Sequence, residues 1–124
     1  MFNGIEHTGI ASPDPERLAQ WYVYTLGFRV NHRFSGNLFV RAADGSMLEI
    51  ILAEGEGGPQ KMKDPGLRHL AIAVDDFEAA YRRLQELGVH FYSEPAEFGG
   101  NRIVFFADAD GNYLHLIYRR APLP

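Results

Sequence analysis

Two stretches of the chain are near copies of each other: Asp44-Gly45-Ser46-Met47-Leu48-Glu49-Ile50-Ile51 and Asp110-Gly111-Asn112-Tyr113-Leu114-His115-Leu116-Ile117. Each is an Asp-Gly turn followed by an apolar strand with one ionisable residue in its middle. Glycine accepts the positive φ that such turns need, so the turns alone are ordinary hairpin chemistry. A Glu and a His inside apolar strands are less ordinary, because a buried charge is costly unless it is paired or coordinates a metal.

The residues before the first copy predict one strand, one helix and two further strands. Ser12 or Asp14 can cap the helix, proline is tolerated in its first turn, and Gly27 ends it. The copy itself adds a last strand that ends near Ala53. The predicted strands of this half are Ile5–Ala11, Phe28–Phe34, Leu38–Ala43 and the strand after Asp44-Gly45. The first half is therefore βαβββ.

The second half repeats this order after a linker without periodicity, Glu54 to Gly66. Asp75-Asp76 caps its helix, which has an apolar stripe at helical spacing and ends at Gly88. The predicted strands are Leu67–Val74, Val89–Tyr92, Arg102–Ala107 and Asn112–Arg119, with a loop at Glu94–Asn101. The pattern predicts one α+β domain over residues 1–124. Its two tandem βαβββ modules lie at about 4–53 and 67–119. The number of residues between matched positions increases along the chain, and the Glu94–Asn101 loop, which is longer than its counterpart in the first module, is predicted to account for this increase.

Composition narrows the classes of function. Apolar residues make up 46% of the 124-residue chain and charged residues 23%, so a core can form. The net charge of −4 argues against a nucleic-acid partner, and no run is apolar enough to span a membrane. The start has no signal-peptide pattern, which predicts a cytoplasmic protein. Cysteine is absent, so nitrogen and oxygen would have to hold any metal.

The duplication pairs four ionisable residues across the halves. His7 matches His69 in the first strand of each module, and Glu49 matches His115 in the last. Their neighbours two residues away are apolar or small, so each side chain is expected to face away from the helices, into a cleft formed by the sheet. One such histidine would more often be an ordinary strand residue. Four at matched positions predict a metal site of three nitrogens and one oxygen.

Two other pairs of ionisable residues also lie in predicted strands. His32 and His90 lie outside the repeat and are interpreted as surface or edge residues. Arg41 and Arg102 lie in strands that border the predicted cleft. Either could clamp a substrate carboxylate or phosphate, although a solvated sheet edge is the interpretation that the sequence favours.

The sequence resembles the vicinal oxygen chelate superfamily, which includes glyoxalase I, methylmalonyl-CoA epimerase, extradiol dioxygenases, and fosfomycin- and bleomycin-resistance proteins. The resemblance covers about residues 4–119. It rests on His7-Thr8-Gly9-Ile10, Tyr22 to Leu26-Gly27-Phe28, Leu48-Glu49-Ile50, Arg68-His69-Leu70-Ala71-Ile72 and Asp108-Ala109-Asp110-Gly111-Asn112. It implies two modules whose sheets curl into a cleft around a divalent ion, with ligands at His7, Glu49, His69 and His115. Family enzymes usually have glutamate where this chain has His115.

Several functions fit this resemblance. The first is a metal-dependent enzyme that chelates two oxygens of a small substrate for isomerisation, epimerisation or lyase chemistry. Glu49 would be its base and His115 the second candidate, and the ion would be Zn²⁺, Ni²⁺, Fe²⁺ or Mn²⁺. The alternatives are a ring-cleaving dioxygenase and a binding protein of the bleomycin-resistance type. Open sheet edges and apolar rims predict a homodimer.

Overall fold

The structure is a computed structural model that describes residues 1–58 and 60–124. The chain divides into two compact units, Met1–Gly58 and Pro59–Pro124. Each unit holds one four-stranded mixed sheet and one helix. The predicted α+β fold of two βαβββ modules is confirmed; the assignment of both to a single domain stays a prediction. None of the helices in the described residues is long and apolar enough to cross a membrane.

In the first unit, the strand order is β1-β4-β3-β2. β1 runs parallel to β4, whereas β3 is antiparallel to both of its neighbours. The elements are β1 His7–Ser12, α1 Pro15–Leu26, β2 Arg29–Phe34, β3 Asn37–Arg41 and β4 Met47–Leu52. The parallel pair places the first and last strands side by side, and the two ionisable residues of this half belong to those strands.

Local sequence fixes both ends of α1. Asp14 accepts a hydrogen bond from the backbone N–H of Arg17, and Pro15 occupies the first turn, where its missing N–H is not needed. Gly27 ends the helix with φ 73°, a left-handed conformation that glycine adopts at little cost. The helix packs on β3 and β4. The core of this unit consists of Leu18, Ala19, Tyr22, Leu38, Val40, Leu48 and Ile50.

The second unit has the equivalent strand order, β5-β8-β7-β6, with β5 parallel to β8. Its elements are β5 His69–Ala73, α2 Phe77–Glu86, β6 Ala96–Phe98, β7 Asn101–Ala107 and β8 Tyr113–Tyr118. Asp76 caps α2 by accepting from the N–H of Ala79. The buried hydrophobic residues of this unit are Phe77, Leu84, Val104, Phe106, Ala107, Leu114, Leu116 and Ile117.

The predicted strand at Val89–Tyr92 is wrong. Only one bridge forms there, between Phe91 and Phe106. The ladder stops because the hydroxyl of Ser93 accepts from the N–H of Phe105, a donor that a continuing strand would use. The strand that pairs with β7 is β6, inside the segment predicted to be a loop.

The Gly99-Gly100 turn explains the position of β6. Its two residues have φ 57° and 85° and join the paired Phe98 and Asn101. Positive φ at both positions is typical of the two-residue hairpin turn whose twist suits the flanking strands. Ser35-Gly36 makes the same turn in the first unit, with φ 47° and 81°.

These turns also correct the predicted origin of the drift in the repeat. The helix-ending glycines lie 61 residues apart, the hairpin turns 64 and the Asp-Gly pairs 66. Three extra residues therefore precede β6. The other two lie in β7, which has seven residues where β3 has five. The loop alone does not absorb the change.

Candidate functional site

In the first unit, His7 and Glu49 lie beside each other on the sheet face opposite α1. Glu49 is paired with Gly9, two residues along β1 from His7. His7 Nε2 and Glu49 Oε1 are 3.6 Å apart. Bonds of about 2.0–2.2 Å at a tetrahedral angle would hold two donors about 3.4 Å apart. The observed separation is therefore close to that of two ligands sharing one ion.

The hydrogen bond on the other ring nitrogen of His7 sets its tautomer. Nδ1 lies 2.7 Å from Oε1 of Glu6. A carboxylate can only accept, so Nδ1 carries the proton. Neutral His7 therefore presents the lone pair of Nε2 toward Glu49, which is the form that binds a metal.

In the second unit, His69 and His115 form the corresponding pair. His115 is paired with Ala71, two residues along β5 from His69, and the ring centroids are 4.7 Å apart. His115 Nδ1 donates to the carbonyl oxygen of Leu116 at 3.1 Å, which leaves the lone pair on Nε2. The second pair thus resembles the first in strand placement, and its buried histidine resembles His7 in tautomer.

His115 is buried, with 6% of its surface exposed. Burial lowers its pKa below the ordinary value of 6.5; the hydrogen bond to Leu116 raises it, and the charges of His69 and Arg119 lower it further. The net direction is downward, because the imidazolium form loses its hydration in the buried position. The neutral form of His115 is therefore favoured at neutral pH.

This lowered pKa predicts an acid-sensitive contribution to stability. Because the unfolded state binds the proton more readily, the contribution is fully present above about pH 6.5 and is lost as pH falls through the lower folded value. Metal-free protein should therefore lose unfolding free energy between pH 7 and pH 5. The loss should be smaller in His115→Gln, whereas the exposed His90→Gln should follow the wild type. Urea titrations at each pH measure this difference, and identical curves for all three proteins would contradict it.

Sequence reasoning missed an aromatic residue beside each pair. Phe39 is paired with Glu49, and its ring meets that of His7 edge-on at 5.2 Å. Phe105 is paired with His115 and meets His69 edge-on at 5.8 Å. The two phenylalanines lie 66 residues apart, the same offset as Glu49 and His115, and this offset was the available signal. Both rings limit the orientations of the neighbouring imidazole.

The other four candidate residues differ in exposure and in the sheet face on which they lie. His32 is exposed on edge strand β2, where its ring stacks on Phe34, and His90 is also exposed, as predicted. Arg102 forms an ion pair with Glu78 of α2, and its guanidinium lies 4.5 Å from the centre of the Phe77 ring. It therefore lies on the helix side of its sheet. Arg41 shares the face of Phe39 and Glu49.

The four candidate ligands thus form two pairs, one in each unit. Within residues 1–58 and 60–124, no group of three or more His, Asp or Glu side chains could hold a metal ion. The donor chemistry of each pair fits a divalent ion, because each offers an imidazole nitrogen and a second donor at close range. The shared four-ligand site stays a prediction.

The sequence profile of the Glyoxalase/Bleomycin resistance protein/Dioxygenase superfamily matches residues 4–116. The chain belongs to this superfamily. The match spans both units and all four candidate ligands, and it confirms the resemblance inferred from the motifs. Proteins similar to this chain include methylmalonyl-CoA epimerases.

Individual proteins are similar to this chain along most of its length. Uncharacterized protein YwkD of Bacillus subtilis is 30% identical over 122 residues, which cover 89% of this chain and 92% of that protein. Human mitochondrial methylmalonyl-CoA epimerase is 29% identical over 119 residues, covering 86% of this chain and 67% of the epimerase. A crystal structure of a superfamily protein from Frankia sp. EAN1pec has a TM-score of 0.81 at 23% identity, covering 97% of this chain and 100% of that one. The structural likeness supports the fold.

Proposed function

We propose that this protein is a divalent-metal-dependent enzyme that chelates vicinal oxygens of a small substrate for isomerisation, epimerisation or lyase chemistry. The observation that carries the proposal is the 3.6 Å approach of His7 Nε2 to Glu49 Oε1, on the face of the sheet away from the helix. The matched pair of His69 and His115 supports it. Together these residues offer three imidazoles and one carboxylate.

This donor set favours Zn²⁺, Ni²⁺, Fe²⁺ or Mn²⁺ over Mg²⁺ or Ca²⁺, which prefer shells of oxygen. His7, Glu49, His69 and His115 would hold the ion. When bound, such an ion supplies a Lewis acid that stabilises negative charge developing on substrate oxygen. The chain then has to supply a base and an orienting pocket.

Glu49 is the proposed base. Its carboxylate is partly exposed, with 21% of the side chain accessible, so a substrate proton can reach it. The Phe39 ring meets the His7 ring edge-on and so limits the orientations of the imidazole beside Glu49. His115 is the second candidate, because its lowered pKa keeps it neutral and its Nε2 can accept a proton whenever that nitrogen is not bound to the ion.

Replacing Glu49 by Gln should lower turnover by about 10²–10⁴-fold, the usual contribution of a positioned acid or base. Methylmalonyl-CoA is the first compound to test, because a similar human protein is a methylmalonyl-CoA epimerase. Proton NMR in D₂O measures exchange of its α-hydrogen. Small 2-oxo and 2-hydroxy acids are then screened in the same way. The control is His90→Gln, an exposed histidine outside both pairs.

The metal content and the turnover of the wild type and of Glu49→Gln decide between an enzyme and a binding protein. Metal in the purified protein, with turnover that Glu49→Gln removes, supports the proposal. Ligand binding without metal and without turnover would instead favour a binding protein of the bleomycin-resistance type. Cytoplasmic location, a small-molecule partner and a homodimeric assembly belong to the same proposal.

A further inference from the structure

The first unit places an arginine pair in the same row of the sheet as His7. Pairing across the four strands aligns His7 with Met47, Met47 with Arg41, and Arg41 with Arg29. The next row holds Gly9, Glu49, Phe39 and His32. We call these two rows the open face, since the alternate residues Leu38, Val40, Leu48 and Ile50 are buried on the α1 side.

Neither arginine of this row is neutralised. Among the described residues, neither Arg29 nor Arg41 forms an ion pair with a carboxylate, whereas Arg33 pairs with Glu16 on the helix side. Like charges directly opposite each other on paired strands are destabilising. The Arg41 guanidinium lies against the Asp-Gly turn, where a Cβ on Gly45 would be 3.4 Å from Nη2. An anion between the two guanidinium groups would relieve their repulsion.

A β-bulge brings a third polar side chain to this row. Val30 pairs with Val40 and His32 with Phe39, so Asn31 is the extra residue of β2. Its Nδ2 donates to Sδ of Met47 at 3.4 Å. Because β3 separates β2 from β4, this contact crosses the open face. Bulges commonly re-aim a side chain next to a functional site.

The side-chain amide of Asn31 lacks part of its hydrogen bonding in this position. Its Oδ1 is buried and has no hydrogen-bond partner among the residues that the structure describes. Its Nδ2 has only a thioether, which is a weak acceptor. A buried polar atom without a partner calls for an explanation, such as a bound group. An oxyanion would offer Nδ2 a stronger acceptor, whereas Oδ1 only accepts and needs a donor on the same ligand, such as the hydroxyl of monohydrogen phosphate or of a hydroxy acid.

We propose that Arg29, Asn31 and Arg41 form a subsite for an anionic group of the substrate, a carboxylate or a phosphate. The proposal rests on the proposed function, because it places this group beside the pair formed by His7 and Glu49. Arg41 is two residues along β3 from Phe39, the partner of Glu49, which is about 7 Å along the strand. The substrate class is therefore a small organic anion whose charged group is separate from the two chelated oxygens.

The test titrates metal-free protein with inorganic phosphate and, separately, with succinate, at ionic strength kept constant with chloride. Backbone amide shifts of residues 29–47 are followed by NMR. Saturable shifts are expected in the wild type. The double variant Arg29→Gln/Arg41→Gln should weaken the apparent Kd about tenfold or more, since two charge-assisted contacts are lost. Arg41→Lys keeps the positive charge but loses the planar guanidinium that can make two parallel hydrogen bonds. Its Kd should therefore lie between those of the wild type and the double variant.

Arg33→Gln is the matched control, because it removes an arginine of the same strand on the opposite face. It should bind as the wild type does. Shifts that do not saturate, or an unchanged Kd in the double variant, would overturn the subsite. Tighter binding of phosphate or of succinate identifies the preferred group. Metal content is measured on parallel samples, so loss of the metal proposal and loss of the anion subsite are separate results.

Discussion

Protein with His69→Ala should retain much less metal than the wild type after purification without added metal and dialysis. Loss of a partner that only orients a ligand typically weakens metal affinity about 10–100-fold, so loss of a ligand should weaken it by at least that much. His32→Ala is the control, since His32 is an exposed histidine outside the repeat. Inductively coupled plasma mass spectrometry measures the ions bound per chain.

The stoichiometry adds a second readout to this experiment. One ion per chain in the wild type, lost in both His7→Ala and His69→Ala, is expected if the two pairs serve a single site. Two ions, of which each variant loses one, would show that the pairs act separately. Affinity should also fall as pH drops below about 6.5, because a protonated imidazole cannot bind a metal. Equal metal in His69→Ala and His32→Ala would refute the ligand set and the enzyme proposal with it.

Protein with Phe106→Ala should lose about 3–5 kcal/mol of unfolding free energy, the range found when a buried phenylalanine is truncated. Phe106 is fully buried in β7, beside Leu114 of β8. A loss of this size is a large part of the about 5–15 kcal/mol that stabilises a typical domain. Urea denaturation followed by circular dichroism measures it.

Phe98→Ala is the matched control for this variant. Phe98 lies in the neighbouring strand β6 but is 48% exposed, so its truncation should change the unfolding free energy by about 0.5 kcal/mol or less. Equal losses in the two variants would show that the side of β7 that carries Phe106 does not form the core of this unit.

The sequence predicted the two helices well because their end signals are local. Asp14 and Asp76 cap the helices, and Gly27 and Gly88 take the left-handed conformation after them. The repeat then predicted the same βαβββ order of elements along the chain in both modules. The sequence failed at β6, a strand of three residues with no apolar run to mark it. Gly99-Gly100 carries the signal of a hairpin turn, which the prediction of a loop over Glu94–Asn101 does not use.

Part of the candidate site was also available from the sequence. Alternation along each strand showed that His7, Glu49, His69 and His115 turn away from the helices. The 66-residue offset would also have matched Phe39 with Phe105. The role of the arginines was not available, because Arg41 and Arg102 both lie in strands next to the last strand of a module. Only the ion pair with Glu78 shows that Arg102 faces α2, and only the strand register shows that Arg41 faces the same side as Glu49.

The sequence by itself determined the βαβββ repeat, the helix ends and the face of each candidate ligand. Strand periodicity and capping depend on residues that are neighbours in the chain, so these features can be read directly. The tertiary structure alone decided the 3.6 Å approach of His7 to Glu49, the bond from His115 to Leu116 O and the bulge at Asn31. These depend on strand register and on side-chain conformations set by packing, because residues far apart in the chain meet only after the sheet has formed.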